Sequence, residues 1–225
     1  MSVTAKVGIT AFAPFANSAI GSTETTSYEY NTIRRAIDTC ADPEVLVTDI
    51  ISVPGVTKEA LTTHLINTCQ ARADALAIID LPDVYTPEHE SYQASAVDRL
   101  GSVDDVVTTL QGRGINSSYG ATYFPWVQIR DTITNRNLLV PPSVVALGAM
   151  SYGQASQELW FAPAGFNRGL VSVVSSVGYL DSAGDFLPVK LNQGQRVVLY
   201  ENYINPIAYM PVRGRVFWGQ KTLDP

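Results

Sequence analysis

Acid–base and metal chemistry needs histidines, cysteines and carboxylates at set spacings, and this chain of 225 residues offers few of them. His64 and His89 are its histidines; Cys40 and Cys69 are its cysteines. His64 and Cys69 lie five apart in a helical pattern, which puts them on different faces, so no shared metal is expected. His89 stands between Glu88 and Glu90 in a polar loop, outside any triad or HExxH spacing. The best carboxylate candidates are Asp80, at the end of an apolar run, and Asp83, just past Pro82. Ligands bind beyond strand C-termini in α/β sheets, so one reading makes Asp80 and Asp83 the working pair of a small α/β enzyme. The other makes them caps or turn residues, which is the commoner role of Asp at such positions. Gly112-Arg113-Gly114 lacks the third glycine of a dinucleotide fingerprint and follows a helix rather than a strand. The residues therefore predict no catalytic, cofactor or metal site.

Composition narrows the class further. Hydrophobic residues make up 46% of the chain and charged residues 16%. The first figure suits a packed core, and the second leaves a surface rich in Ser and Thr, as on a protein covered by neighbours or on a soluble domain that is simply low in charge. The net charge of −6 argues against a general nucleic-acid binder, which needs a basic face. The charge is uneven: residues 1–105 carry 6 basic and 15 acidic residues, and residues 106–225 carry 9 and 6. Arg outnumbers Lys by 11 to 4. A protomer polarised in this way is suited to head-to-tail packing. Two cysteines 29 apart, with no CxxC, suit a reducing compartment. No apolar run approaches the ~20 residues needed to span a bilayer, and no signal peptide is visible.

The elements that must position these residues read as α/β. Residues 3–15 look extended, 17–30 look like a loop, and 30–40 suit a short helix. Residues 44–53 have a strand pattern closed by Pro54-Gly55. Leu61, Leu65, Ile66 and Cys69 then share one helical face, with Thr57 as its cap. Residues 75–81 (ALAIIDL) form a continuous apolar run, as in a strand buried on both faces. Strand, helix and strand within this span make a βαβ unit. Residues 102–111 predict a helix capped by Ser102, and residues 118–130 a β segment in which Pro125 marks an edge or bulge. Pro141-Pro142-Ser143 opens a helix of small apolar residues. Residues 196–200 and 213–218 read as strands, with Trp218 largely buried. The predicted fold is a mixed β-sheet flanked by helices over residues 46–225, preceded by a β/loop-rich segment, 1–45.

The Pro- and Trp-marked turns, taken in order, resemble the contractile tail sheath family of myophages and related injection machines. Residues 75–82 (ALAIIDLP) resemble that family's buried strand ending in Asp and Pro, and Val53-Pro54-Gly55 its preceding turn. Residues 119–127 (YGATYFPWV) resemble its aromatic segment at Pro125 and Trp126. Residues 140–148 (VPPSVVALG) resemble its helix start at Pro141, Pro142, Ser143, Ala146 and Gly148. Residues 160–167 (WFAPAGFN) resemble its Trp160/Pro163 turn, with Gly165 and Phe166 as extra residues. Leu191-Asn192 lacks the usual following Gly-Ile-Asn. Residues 214–223 (GRVFWGQKTL) match at Trp218, Gly219, Thr222 and Leu223. The resemblance covers residues 48–223.

It implies a non-enzymatic structural subunit, without cofactor, of the sheath around a phage tail tube, whose contraction drives the tube through the host envelope. The implied partners are other sheath protomers, the tube and the baseplate, with no nucleic acid and no membrane insertion. The implied location is the virion, after synthesis in the host cytoplasm. A bacteriocin or type VI-like sheath is the nearest alternative. In the family this last motif is followed by a further domain carrying strand-exchanging arms. The resemblance thus implies that these residues are a fragment, monomeric on their own and unable to form polysheath.

Overall fold

The computed structural model describes residues 27–83, 103–156, 158, 160–180 and 184–225. The extended reading of 3–15, His89 and the Ser102 cap lie outside them. Helix α1 (Tyr28–Thr39) is capped by Ser27, whose hydroxyl accepts from the Tyr30 N–H; the loop expected up to residue 30 thus gives way to helix from Tyr28. A short strand β1 (Ile50–Ser52), helix α2 (Glu59–Arg72) and strand β2 (Leu76–Ile79) form the predicted βαβ unit. Leu61, Leu65, Ile66 and Cys69 are all buried. The cap of α2 falls on Lys58, with no side-chain bond, instead of Thr57.

The strand expected over 44–53 shrinks to its last residues. Asp42 accepts from the Glu44 N–H and closes a turn. The Arg72 guanidinium donates to the carbonyls of Cys40, Leu46 and Thr48, the last two of which a longer β ladder would have used.

Helix α3 (Asp104–Gln111) leads to β3 (Gly120–Phe124), and β4 (Trp126–Arg130) follows at once. These two strands belong to different sheets. Pro125, which has no N–H to give a ladder, sits where the chain changes sheet, so it marks neither an edge nor a bulge. Strand β5 (Asn137–Val140), helix α4 (Pro142–Ser156), the short helix α5 (Gly165–Arg168), and strands β6 (Val174–Leu180) and β7 (Phe186–Pro188) come next. Helix α6 (Gln193–Glu201) and the hairpin of β8 (Asn205–Met210) and β9 (Gly214–Phe217) end the chain. Residues 196–200, read as a strand, are therefore helical. Asn192 and Gln195 form a reciprocal capping box that starts α6.

One sheet has the order β1-β2-β3-β8-β9, its first four strands parallel and β9 antiparallel; the other, β5-β4-β6-β7, is antiparallel throughout. The first sheet is buried on both faces. Ala77, Ile79 and Phe124 pack with α2, α3 and α6. Ile78, Ala121, Tyr123 and Ile207 pack with α4 and with Val127, Val174 and Val177 of the second sheet. Period-two alternation along β2 and β3 assigns neighbouring residues to opposite layers. Each of these fully buried large side chains contributes about 1.5–3 kcal/mol by leaving water.

Trp218 departs from its expectation. It lies past the end of β9 and is 42% exposed, while Phe217 before it is 1% exposed and packs edge-on against Tyr123 with ring centroids 5.0 Å apart. The large volume expected of Trp218 is supplied by its neighbour.

Candidate functional site

Asp80 follows β2 and is 1% exposed. Its Oδ2 accepts from the Gly55 N–H at 2.9 Å and from the Ser143 hydroxyl at 2.7 Å; its Oδ1 accepts from the Ser143 N–H at 3.1 Å. Ser143 stands in the first turn of α4, so Asp80 caps that helix from another element, at the end where the macrodipole favours negative charge. Pro142 is its first residue, where a missing N–H costs nothing. Gly55 adopts φ +80°, a left-handed conformation that glycine enters without strain, and this turns its N–H toward Asp80. Burial pushes the Asp80 carboxyl above the usual carboxylate range, opposed by the hydrogen bonds from Ser143 and Gly55.

The rest of the junction builds on the same point. The Trp126 indole N–H donates to the Leu81 carbonyl at 2.8 Å, which fixes the chain between Asp80 and Pro82. The Leu180 N–H donates to Asp83 at 3.4 Å, linking that segment to β6. Pro141 lies against Gly55. The structure thus joins Pro54-Gly55, Asp80-Leu81-Pro82, Trp126 and Pro141-Pro142-Ser143, four turns distant in sequence, into one knot between the parallel sheet and α4, with Asp80, Leu81, Pro142 and Ser143 buried at its centre. Asp80 and Asp83 do not converge on a cleft. With its oxygens engaged by three structural donors, Asp80 is a tie rather than an acid or base facing substrate.

The remaining expected residues lie elsewhere. Trp160, 76% exposed, and Pro163 belong to the turn before α5, and Asn192 caps α6. Trp218, Gly219 and Thr222 lie in the segment around Lys221 that Asn205, which sequence reasoning missed, ties down. Asn205 is fully buried; its amide donates to the carbonyls of Thr122 and Lys221, and its oxygen accepts from the Lys221 N–H at 2.6 Å. Gly219 packs so closely on Tyr200 that a Cβ there would run into the ring. Leu223 then bridges to Ser117 and buries itself against α3 and β3. The signal for Asn205 was a lone amide inside the apolar run 204–212; Arg72 had none.

Among the described residues no group of three His, Cys, Asp or Glu side chains is placed to hold a metal. His64 instead bonds Asp38 at 2.6 Å, joining α2 to α1. Burial raises the Cys69 thiol pKa to about 11, which leaves it inert at neutral pH. No helix among those residues is long and apolar enough to cross a membrane.

No family model matches the chain. It is 25% identical over 206 residues to the tail sheath protein of Vibrio phage KVP40, and 26% identical over 204 residues to that of Enterobacteria phage T4. The chain is similar to phage tail sheath proteins. These alignments cover 83% and 84% of it and 28% of each relative, so it spans about a quarter of their length. Its fold is that of contractile sheaths. The contracted helical sheath of the anti-feeding prophage superposes with a TM-score of 0.56 at 20% identity, covering 89% of this chain and 45% of that one. The contracted sheath complex of the extracellular contractile injection system PVC gives 0.55 at 19% identity, covering 84% and 44%. A chain of the anti-feeding prophage baseplate gives 0.55 at 18% identity, covering 88% and 43%. In this sheath-like chain the Asp80 knot holds together the parallel sheet, α4 and the second sheet.

Proposed function

We propose that this chain builds part of the wall of a contractile phage tail sheath. Its work is mechanical and needs no cofactor: it passes force between neighbours as a stiff unit. The observation that supports this most is the alignment of more than four-fifths of the chain with tail sheath proteins. The knot fits such a role. Asp80, Gly55 and Ser143 fasten three separate segments by hydrogen bonds to one buried carboxyl, an arrangement that resists shear between sheet and helix. A buried Asp80 engaged by three structural donors supports a structural role over the enzyme built on Asp80 and Asp83. That both sequence relatives are phage proteins favours a phage tail over a bacteriocin or secretion machine.

The partners in this reading are other sheath protomers, the baseplate and the tail tube, and the location is the virion after synthesis in the host cytoplasm. On its own, at tens of micromolar and physiological salt, the 225-residue chain is monomeric. Immunogold labelling of purified phage with an antibody raised against the chain tests the reading. Label along the length of the tail supports it; label confined to the capsid or fibres, or none on the particle, overturns it.

A further inference from the structure

The two ends of the five-stranded sheet carry opposite charge beside exposed apolar side chains. At one end, residues 41–47 lead toward β1 and are exposed throughout. Val45 and Val47 are 72% and 89% exposed, with Glu44 and Asp49 exposed beside them. The stretch is pinned in this shape from beneath by the buried Arg72. Asp42 is exposed in the same stretch, so Asp42, Glu44 and Asp49 make this end acidic.

At the other end, residues 169–171 close the outer edge of β9: the Phe217 N–H donates to the Gly169 carbonyl and the Val171 N–H to that of Arg215. Trp160, Phe161, Phe166 and Trp218 are exposed there. Arginines stack on these rings: Arg168 lies 3.5 Å from the Phe161 centroid, Arg196 5.5 Å from Trp218, and Arg213 5.6 Å from Phe166. Arg168, Arg196 and Arg213 give this end three basic side chains. Aromatic residues and arginine are the side chains enriched at the centres of protein interfaces. Apolar surface left in one contiguous patch marks such a site.

We infer that these ends are the two halves of one head-to-tail contact, in which the arginine–aromatic end of one protomer seats on the acidic 41–47 stretch of a second copy. Charge complementarity selects this occupant: the chain itself supplies both an acidic apolar patch and a basic aromatic one. Distinct patches at opposite ends of one sheet make a heterologous contact, which propagates into rings or helices instead of closing as a dimer. The inference rests on the sheath reading and names one of its surfaces.

Sedimentation velocity of the 225-residue chain at several hundred micromolar tests it. The expected result is reversible association in low salt that weakens about tenfold in high salt, as screened charges require. Arg213→Glu and Glu44→Lys each weaken self-association about tenfold, and mixing the two variants restores association, because the unaltered basic end of one variant then meets the unaltered acidic stretch of the other, as only a heterologous contact allows. Both sites are exposed, and unchanged circular dichroism confirms that each variant folds. No association in low salt, indifference to either reversal, or loss in both with no recovery on mixing overturns the contact. Labelling of the tail by the antibody is independent of these outcomes, so the surface can fail while the sheath reading stands.

Discussion

Replacing Asp80 with Asn changes one oxygen to an NH2 group at almost constant volume, and so isolates what the carboxyl does. Whichever way the amide is turned, its NH2 points at a backbone N–H: that of Gly55 if it takes the Oδ2 position, that of Ser143 if it takes Oδ1. One buried donor is then left without an acceptor, at about 1–3 kcal/mol. The other bonds lose their charge assistance, about another 1 kcal/mol. Against this, a buried negative charge is removed, and the upward shift of the Asp80 pKa by burial says that this charge is itself unfavourable. The balance is a loss of about 2 kcal/mol, which for a domain of this size lowers Tm by about 4–8 °C. Asp80→Ala strands all three donors and loses about 3–5 kcal/mol, whereas Ser143→Ala loses about 1 kcal/mol. Urea unfolding followed by tryptophan fluorescence and circular dichroism measures all three. An Asp80→Asn protein as stable as the parent, or more stable, would refute the reasoning, because desolvation would then outweigh the knot.

Further outcomes follow from the same geometry. Because burial raises the folded-state pKa of Asp80, its contribution is fully present below the unfolded carboxylate pKa and declines as pH rises through the folded value. The stability difference between parent and Asp80→Asn is thus larger near pH 3 than near pH 7, and a difference that grows with pH contradicts this. Phe217→Ala costs about 3–5 kcal/mol and Trp218→Ala about 1 kcal/mol, and denaturant titration giving the reverse order would contradict the burial of Phe217. Asn205→Ala strands the Lys221 N–H and frees residues 218–225, at about 2–3 kcal/mol, with amide exchange at Lys221 and Leu223 accelerated before global unfolding. In a thermal-shift screen of nucleotides and divalent metals no ligand raises Tm specifically; one that does revives the enzyme reading.

Much of this architecture is legible in the residues. The run at 75–81 reads as a doubly buried strand because no polar residue precedes Asp80 in it, and β2 lies between two parallel neighbours inside the sheet. The failures have physical causes. Residues 44–53 have strand composition, but Arg72, distant in sequence, takes the carbonyls their ladder would need. Residues 196–200 are rich in β-branched and aromatic side chains, yet the Asn192–Gln195 capping box, itself a sequence signal, starts a helix there. Residues 118–130 look continuous, and only the tertiary fold shows that Pro125 separates two sheets. The knot was half visible: Pro54, Gly55, Asp80, Trp126 and Ser143 stand out as turn residues, but nothing in their spacing says that they meet. Asn205 and Trp218 exchange their expected weights, because burial near a strand end depends on where the strand stops.

The central claim is that this chain is a rigid unit of a sheath wall. Helical cryo-electron microscopy of the tail in its extended and contracted states tests it most directly. The account predicts that the two sheets and α4 fit the sheath density as one body in both states, with the Asp80–Ser143 and Asp80–Gly55 bonds intact in each. Density for this fold in the tube rather than the sheath, or a knot that opens between the two states, would contradict it.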